Sequence, residues 1–298
     1  MIQNPIVWPN GARCACAITF DVDADSLIHI SRPKDGFDRL YPISMGRYGP
    51  TVALPRILDT YRRLGLKQSF FVPGWVVEQY PEAMDLIQED GHEIGHHGYL
   101  HEDPTNLSDA EHRYWFERAL EAHKKTVGNT PKGYRAPVYN ASQGVIDFLV
   151  DNDFLYDSSL MADDIPYRIH TAKGSLVELP VHWGTDDWPP FAHYSEIDYM
   201  MPVAGPSRGL EGFWEEFEAQ YEHGGFWMAI WHPFLTGRLA RWTLVERWLE
   251  TILERGDIWF APLHEIAEHV NNQFVRDNQS IRVEELPYYN QPVHLGAK

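Results

Sequence analysis

Two hydrophobic periodicities alternate along this chain. A short apolar run, Ala15-Cys16-Ala17-Ile18, reads as the centre of a strand over 14–20 that is buried on both faces. Val52, Ile57, Leu58, Tyr61 and Leu64 instead lay an apolar stripe along a helix over 51–64, which Gly65 ends as its C-cap. The same alternation continues. Strands are expected at 67–72, 93–94, 133–136, 155–157, 176–181, 226–231 and 258–261. Helices are expected at 81–89, where Pro81 suits the first turn, at about 108–127, 142–152, 210–222 and 243–255, and from about 263. Ser108-Asp109-Ala110-Glu111 is a capping box that opens the longest early helix. Strands that alternate with helices predict an α/β fold with a parallel sheet and helices outside it. About seven or eight such units favour a barrel over a doubly wound sheet.

Between these elements, residues 1–13 read as an arm laid on the domain. Residues 24–50 form a long loop containing Gly and Pro, a length that usually carries function. The polar tail from about 279 to 298 reads as an extended segment. No repeat or linker interrupts the chain, so 1–298 is expected to be a single domain, and 44% hydrophobic content over 298 residues suits one large core. The charge of −18, from 25 Lys+Arg against 43 Asp+Glu, argues against nucleic-acid or anionic-membrane partners. No apolar run approaches the roughly 18 residues of a membrane span. The N-terminus lacks the basic start and long apolar region of a secretory signal, so a cytoplasmic location is expected. Cys14 and Cys16 point the same way along a strand and are expected to be buried small side chains, not a disulfide or a zinc clamp.

Three clusters carry the chemistry: Thr19-Phe20-Asp21-Val22-Asp23, His92 to His101, and Trp231-His232-Pro233. Acids just beyond a buried strand are costly unless paired or bound to metal. Asp21 and Asp23 sit two apart and can face one side of an extended backbone. His97 and His101 sit four apart and can share a metal across one helical turn or a compact loop. One carboxylate and two imidazoles make a catalytic zinc set, with Asp23, His97 and His101 as ligands and Asp21 as general base. His92 and His96 have the same spacing, and the sequence leaves that pair open. Gly98 and the later position favour His97 and His101, so His92 and His96 are expected to be structural. Arg135 can hold Asp21 ionised, His232 can protonate a leaving amine, and Asp187 can raise the pKa of that imidazole. Tyr48, Trp75, Tyr139, Trp183 and Trp188 are candidate pocket walls for substrate. All the charged candidates fall at strand ends, where parallel α/β proteins place their sites.

This set resembles the polysaccharide deacetylase family, the NodB-homology carbohydrate esterases of family four. Within it the chain is similar to a branch of cytoplasmic peptidoglycan deacetylase-like and allantoinase- or cyclic-imidase-like proteins. Thr19-Phe20-Asp21-Val22-Asp23 stands where the family has its base and metal aspartates. His97-Gly98-Tyr99-Leu100-His101 matches its ligand pair and Arg135-Ala136-Pro137 its arginine motif, while Asp187-Trp188 and His232 match the later motifs. The resemblance implies a distorted, incomplete (β/α)7 barrel that binds Zn2+ or another divalent metal. It implies hydrolysis of a non-peptide C–N bond, either N-deacetylation of an amino sugar or opening of a small cyclic amide, imide or ureide. A barrel that only binds, without catalysis, is the competing class. Val22 and Ala24 depart from the commoner family pattern, which weakens the case for a long glycan chain as substrate. A small molecule or short glycan is therefore expected. The loop 24–50 and the aromatics Trp8, Tyr41, Tyr48 and Trp115 suggest a homodimer or homotetramer that narrows access to the site.

Overall fold

The computed structural model describes residues 2–276 and 281–292; the expected tail at 279–280 and 293–298 lies outside these. Ten strands form one sheet: β1 (Cys14–Asp21), β2 (Ser69–Val72), β3 (Glu93–His96), β4 (Gly133–Tyr134), β5 (Tyr156–Asp157), β6 (Tyr167–Thr171), β7 (Gly174–Glu178), β8 (Phe226–Trp231), β9 (Ile258–Phe260) and β10 (Val283–Glu285). Its order is β10-β6-β7-β5-β4-β3-β2-β1-β8, with β9 also beside β1. Every residue of β1 is buried, as its unbroken apolar run requires of a strand covered on both faces. β8 runs along one edge of β1 from Ala15 to Phe20. The other edge is divided, with β9 paired at Cys14–Cys16 and β2 at Phe20–Asp21. β1 is therefore fixed at both ends, and its C-terminal acids inherit that rigidity.

From β8 through β1, β2, β3, β4 and β5 to β7, every neighbouring pair is parallel. β6 then runs antiparallel to β7, and β10 parallel to β6. Past β7 the chain returns to β8, where Asp186 forms an isolated bridge with Ile230 and the Asp187 N–H donates to the Ile230 carbonyl at 3.1 Å. The α/β expectation holds, with a mixed sheet that this bridge does not close into a full barrel. β6 and β10 lie outside the expected strands: β6 places the polar Arg168 and His170 between its buried residues, and β10 is three residues long with two glutamates. The capping box at Ser108 and Glu111 forms as read.

The segment 24–50 is not an open loop. It contains the helices Ser26–Ser31 and Leu40–Tyr48 and folds back over the carboxyl ends of the strands. Arg32 and Arg39 reach Glu196 at 3.3 and 3.9 Å, which ties the segment to the opposite side of the mouth. Of the aromatics read as a sign of self-association, Trp8 is buried within its own chain: it packs against Trp259 and donates to the Gly224 carbonyl. Trp115 is half-buried and stacks on Tyr99. Tyr41, with Phe37 and Leu40, does face solvent.

Gly46 sets how closely the returning helix approaches the site. A Cβ there would lie 2.7 Å from the Asp25 amide nitrogen and closer still to the Ala24 carbonyl. Backbone is met on that side, so no side chain can swing away. Gly46→Ala is expected to lower stability by about 1–3 kcal/mol, the usual cost of overpacking, read as a fall in melting temperature. An unchanged melting temperature would contradict this close approach.

Candidate active site

Asp21 is the last residue of β1, and Asp23 follows it two positions on, fully buried. Across β2, His97 is the first residue after β3. The chain then turns through Gly98 (φ 69°) to His101, itself at φ 62°. Glu102 holds this turn, accepting from the backbone N–H groups of Tyr99 at 2.9 Å and Leu100 at 2.7 Å. The four-residue spacing of His97 and His101 is therefore realised as a compact loop, not a helical turn.

His97 Nε2 lies 3.5 Å from Asp23 Oδ1, and His101 Nε2 lies 3.7 Å from Asp23 Oδ2. One donor atom from each of the three residues falls within 4.8 Å of the others. Neither Asp23 oxygen has a hydrogen-bond partner among the described residues. A buried carboxylate left in that state is costly, and a cation is what relieves it. His97 Nδ1 lies 2.7 Å from the Arg135 carbonyl, which only accepts, so Nδ1 carries the proton and the Nε2 lone pair faces Asp23. Burial pushes the His97 pKa down to about 3, which keeps the ring neutral. The neutral His97 ring, the His101 imidazole beside it and a carboxylate without hydrogen bonds fit a divalent metal. His92 and His96 are directed elsewhere. His92 Nδ1 accepts from Gln68 N, while His96 stacks on Phe116 and accepts from Gly98 N.

Arg135 follows β4 and is fully buried. It donates to Asp21 Oδ1 at 2.6 Å, to Thr19 Oγ1 at 3.0 Å, and to the Ser158 carbonyl and hydroxyl at 3.2 and 3.1 Å. Its guanidinium carbon sits 4.1 Å from the centre of the Phe71 ring. Asp21 Oδ2 is thereby left to face the metal cluster, 3.8 Å from His97 Nε2.

His232 follows β8, with Nε2 3.4 Å from Asp23 Oδ2 and Nδ1 2.6 Å from Asp187 Oδ1. Asp187 Oδ2 accepts from the His232 and Thr236 amides and the Thr236 hydroxyl. Burial pushes the His232 imidazole down, but Asp187, followed by Asp23 and Asp186, overrides it and raises the pKa to about 10. Asp186, Asp187 and His232 also bring donor atoms within 4.8 Å of one another. The bonds already made to Asp187 leave that group better suited to holding a charged imidazole than a metal.

Asp21, Asp23, His97, His101 and His232 line a pocket of about 120 Å³ with Leu27, Val138 and Ile197. Tyr139, Trp183 and Trp188 stand in its wall, as does Asp186, which the sequence reading passed over. Tyr48 and Trp75 do not. The Tyr48 ring lies under Arg238, and Trp75 packs on His29. Four non-glycine residues at the mouth, Ala24, His101, Val138 and Tyr139, have φ between 50° and 62°. Such strain gathers where the surrounding packing over-determines a site, and Val138, being β-branched, is the most strained of them.

A family model described as polysaccharide deacetylase matches residues 45–154. A Mycobacterium smegmatis protein whose crystal structure bears the name of a polysaccharide deacetylase is 37% identical, with a TM-score of 0.88 over 92% of this chain and 96% of that one. The peptidoglycan deacetylase of Helicobacter pylori is 26% identical over 84% of this chain and 94% of its own length. An allantoinase structure at 19% identity shares the fold, with a TM-score of 0.77 over 93% of this chain and 95% of that one. The Asp-His-His cluster is a metal-binding site of the kind this group's hydrolytic chemistry uses. The chain belongs to the polysaccharide deacetylase family.

Proposed function

We propose that this protein is a zinc-dependent amide hydrolase that removes an acetyl group from an N-acetylated amino sugar or short glycan. The observation that carries the reading is the juxtaposition, in one pocket, of a carboxylate aimed by arginine, a three-residue metal cradle and a carboxylate-backed imidazole. Asp23, His97 and His101 would hold the metal, and two nitrogens with one oxygen suit zinc. When bound, such an ion acidifies water and polarises an acyl oxygen.

The chain's own groups account for the proton transfers. Arg135 binds one oxygen of Asp21, so the other is directed inward to accept a proton from the attacking water. His232, kept cationic by Asp187, delivers a proton to the departing nitrogen through Nε2. For the acyl oxygen, the backbone N–H of Val138 is the candidate donor, since that of the neighbouring Tyr139 is engaged by the Ala136 carbonyl. Leu27, Ile197, Trp183 and Trp188 narrow the pocket, which supports a compact acyl group and a small or terminal substrate unit. The same machinery could open a cyclic amide, and the fold shared with an allantoinase is the observation favouring that second reading.

Acetate release from N-acetylglucosamine oligomers, set against ring opening of hydantoin, succinimide and allantoin, tests the assignment. Zinc-loaded protein is expected to release acetate, and ring opening alone would overturn the deacetylase reading. In the same assay His101→Ala should lose metal and turnover together. Asp21→Asn should keep its metal and lose about 10²–10⁴-fold in rate, the usual contribution of a general base. Near-normal turnover by Asp21→Asn would remove Asp21 from that role.

The pH dependence has a definite sign. An acid with a raised pKa is active below that pKa, and activity falls as pH rises through it. Asp187→Asn removes the charge next to the imidazole and presents an amide donor to Nδ1, so the alkaline limb of kcat/KM should move to lower pH. A limb that stayed in place would exclude His232 as the group observed.

A further inference from the structure

Once the metal ligands, Asp21 and the His232–Asp187 pair are set aside, one acidic side chain remains in the pocket wall among the described residues. It is Asp186, 3% exposed, beside Tyr139 and Trp183. Its position comes from the isolated bridge to Ile230, which turns the chain after β7 against β8. Asp186 Oδ1 accepts from the Trp188 amide at 2.7 Å, and Oδ2 accepts from the Tyr139 hydroxyl. A carboxyl group has about four acceptor positions, so these two bonds leave Asp186 with acceptor capacity on the pocket side. The Tyr139 hydroxyl has spent its only proton on Asp186. Burial raises the Asp186 pKa to about 7; the His232 charge pulls against this and the Asp187 charge adds to it.

The cation this pocket holds among the described residues is His232, already paired with Asp187. No Lys or Arg lines it among the described residues, and Arg135 lies behind Asp21 with its donors already engaged. An anionic group beside the scissile bond would meet Asp21 and Asp186 without a guanidinium or ammonium to receive it. A donor that reaches Asp186 would instead gain a bond to a nearly buried acceptor. A site built to accept such a donor strongly rejects analogues that lack it.

We propose that Asp186 is the specificity-determining residue of this pocket, accepting a hydrogen bond from an O–H or N–H next to the scissile amide of an uncharged substrate. This rests on the hydrolase reading above and narrows it. In an N-acetylated amino sugar the donor is the hydroxyl next to the acetamido carbon, and in a cyclic ureide it is a ring N–H. An amino sugar whose hydroxyl at that position carries a carboxylate-bearing ether loses the donor and adds a charge, so it is excluded on both counts.

Binding separates this proposal from catalysis. Trp183 and Trp188 line the pocket and give a fluorescence signal, and zinc-loaded Asp21→Asn protein can be titrated without turnover. The probes are N-acetylglucosamine, its 3-O-methyl ether and N-acetylmuramic acid, with hydantoin and its two N-methyl derivatives as the second arm. One parent compound is expected to bind at least about tenfold tighter than its blocked derivatives, about the value of one good hydrogen bond to a charged group. Adding Asp186→Asn should erase that preference while metal content stays the same. The arm that discriminates identifies the donor as hydroxyl or ring N–H. Equal affinity for parent and blocked ligands, a preference that survives Asp186→Asn, or no binding of either parent overturns the proposal. Failure of the hydrolase reading looks different: compounds that bind zinc-loaded wild-type protein would remain uncleaved.

Discussion

Asp23 is enclosed by protein, and neither of its carboxylate oxygens receives a hydrogen bond from the described residues. Three imidazole nitrogens, from His97, His101 and His232, stand between 3.4 and 3.7 Å from it, too far for good hydrogen bonds. For His97 and His101 that gap leaves room for an ion shared with the carboxylate, as in a site with metal–ligand distances of about 2.0–2.2 Å. The surrounding architecture serves this one carboxylate. β1 leads into it, the two neighbours along each stretch of β1 fix that strand, and the helix Leu40–Tyr48 packs over the segment that follows.

The second constraint is the buried Arg135–Asp21 pair. With both partners out of water, the pair is tolerable because the other guanidinium donors reach Thr19 and Ser158 and its face covers Phe71. Removing either partner alone would strand a buried charge, at about 3–5 kcal/mol. The arginine links β1, β4 and the segment after β5, so the orientation of the Asp21 carboxylate is set by sheet geometry rather than by a loop. Asp187 does the same for His232. Its four accepted hydrogen bonds hold the ring and the following turn in one arrangement.

Much of this was legible in the sequence because the signals are local. The unbroken apolar run of β1 with two acids at its end pointed to a buried strand opening onto a polar site, and the helix periods and caps located most of the layers. The choice between His92/His96 and His97/His101 was not local. It turns on where β3 stops: His96 remains in the strand and points into the Phe116 packing, while His97 is released into the site. Asp186 was visible only as one of two adjacent acids, since its place in the wall depends on a bridge to a strand more than forty residues later. Tyr48 and Trp75 read as pocket walls because aromatics near a motif suggest one. The helices hidden in 24–50 instead carry Tyr48 beneath Arg238.

The central claim is that Asp23 is held in place for a metal ion, and a thermal melt of metal-free protein titrated with zinc tests it most directly. An ion that binds only the folded chain adds about 4 kcal/mol at a thousandfold excess over its dissociation constant. The melting temperature of wild-type protein should therefore climb with zinc, while that of Asp23→Asn should stay nearly flat. A wild-type melting temperature indifferent to zinc, or an equal rise in the variant, would contradict the account.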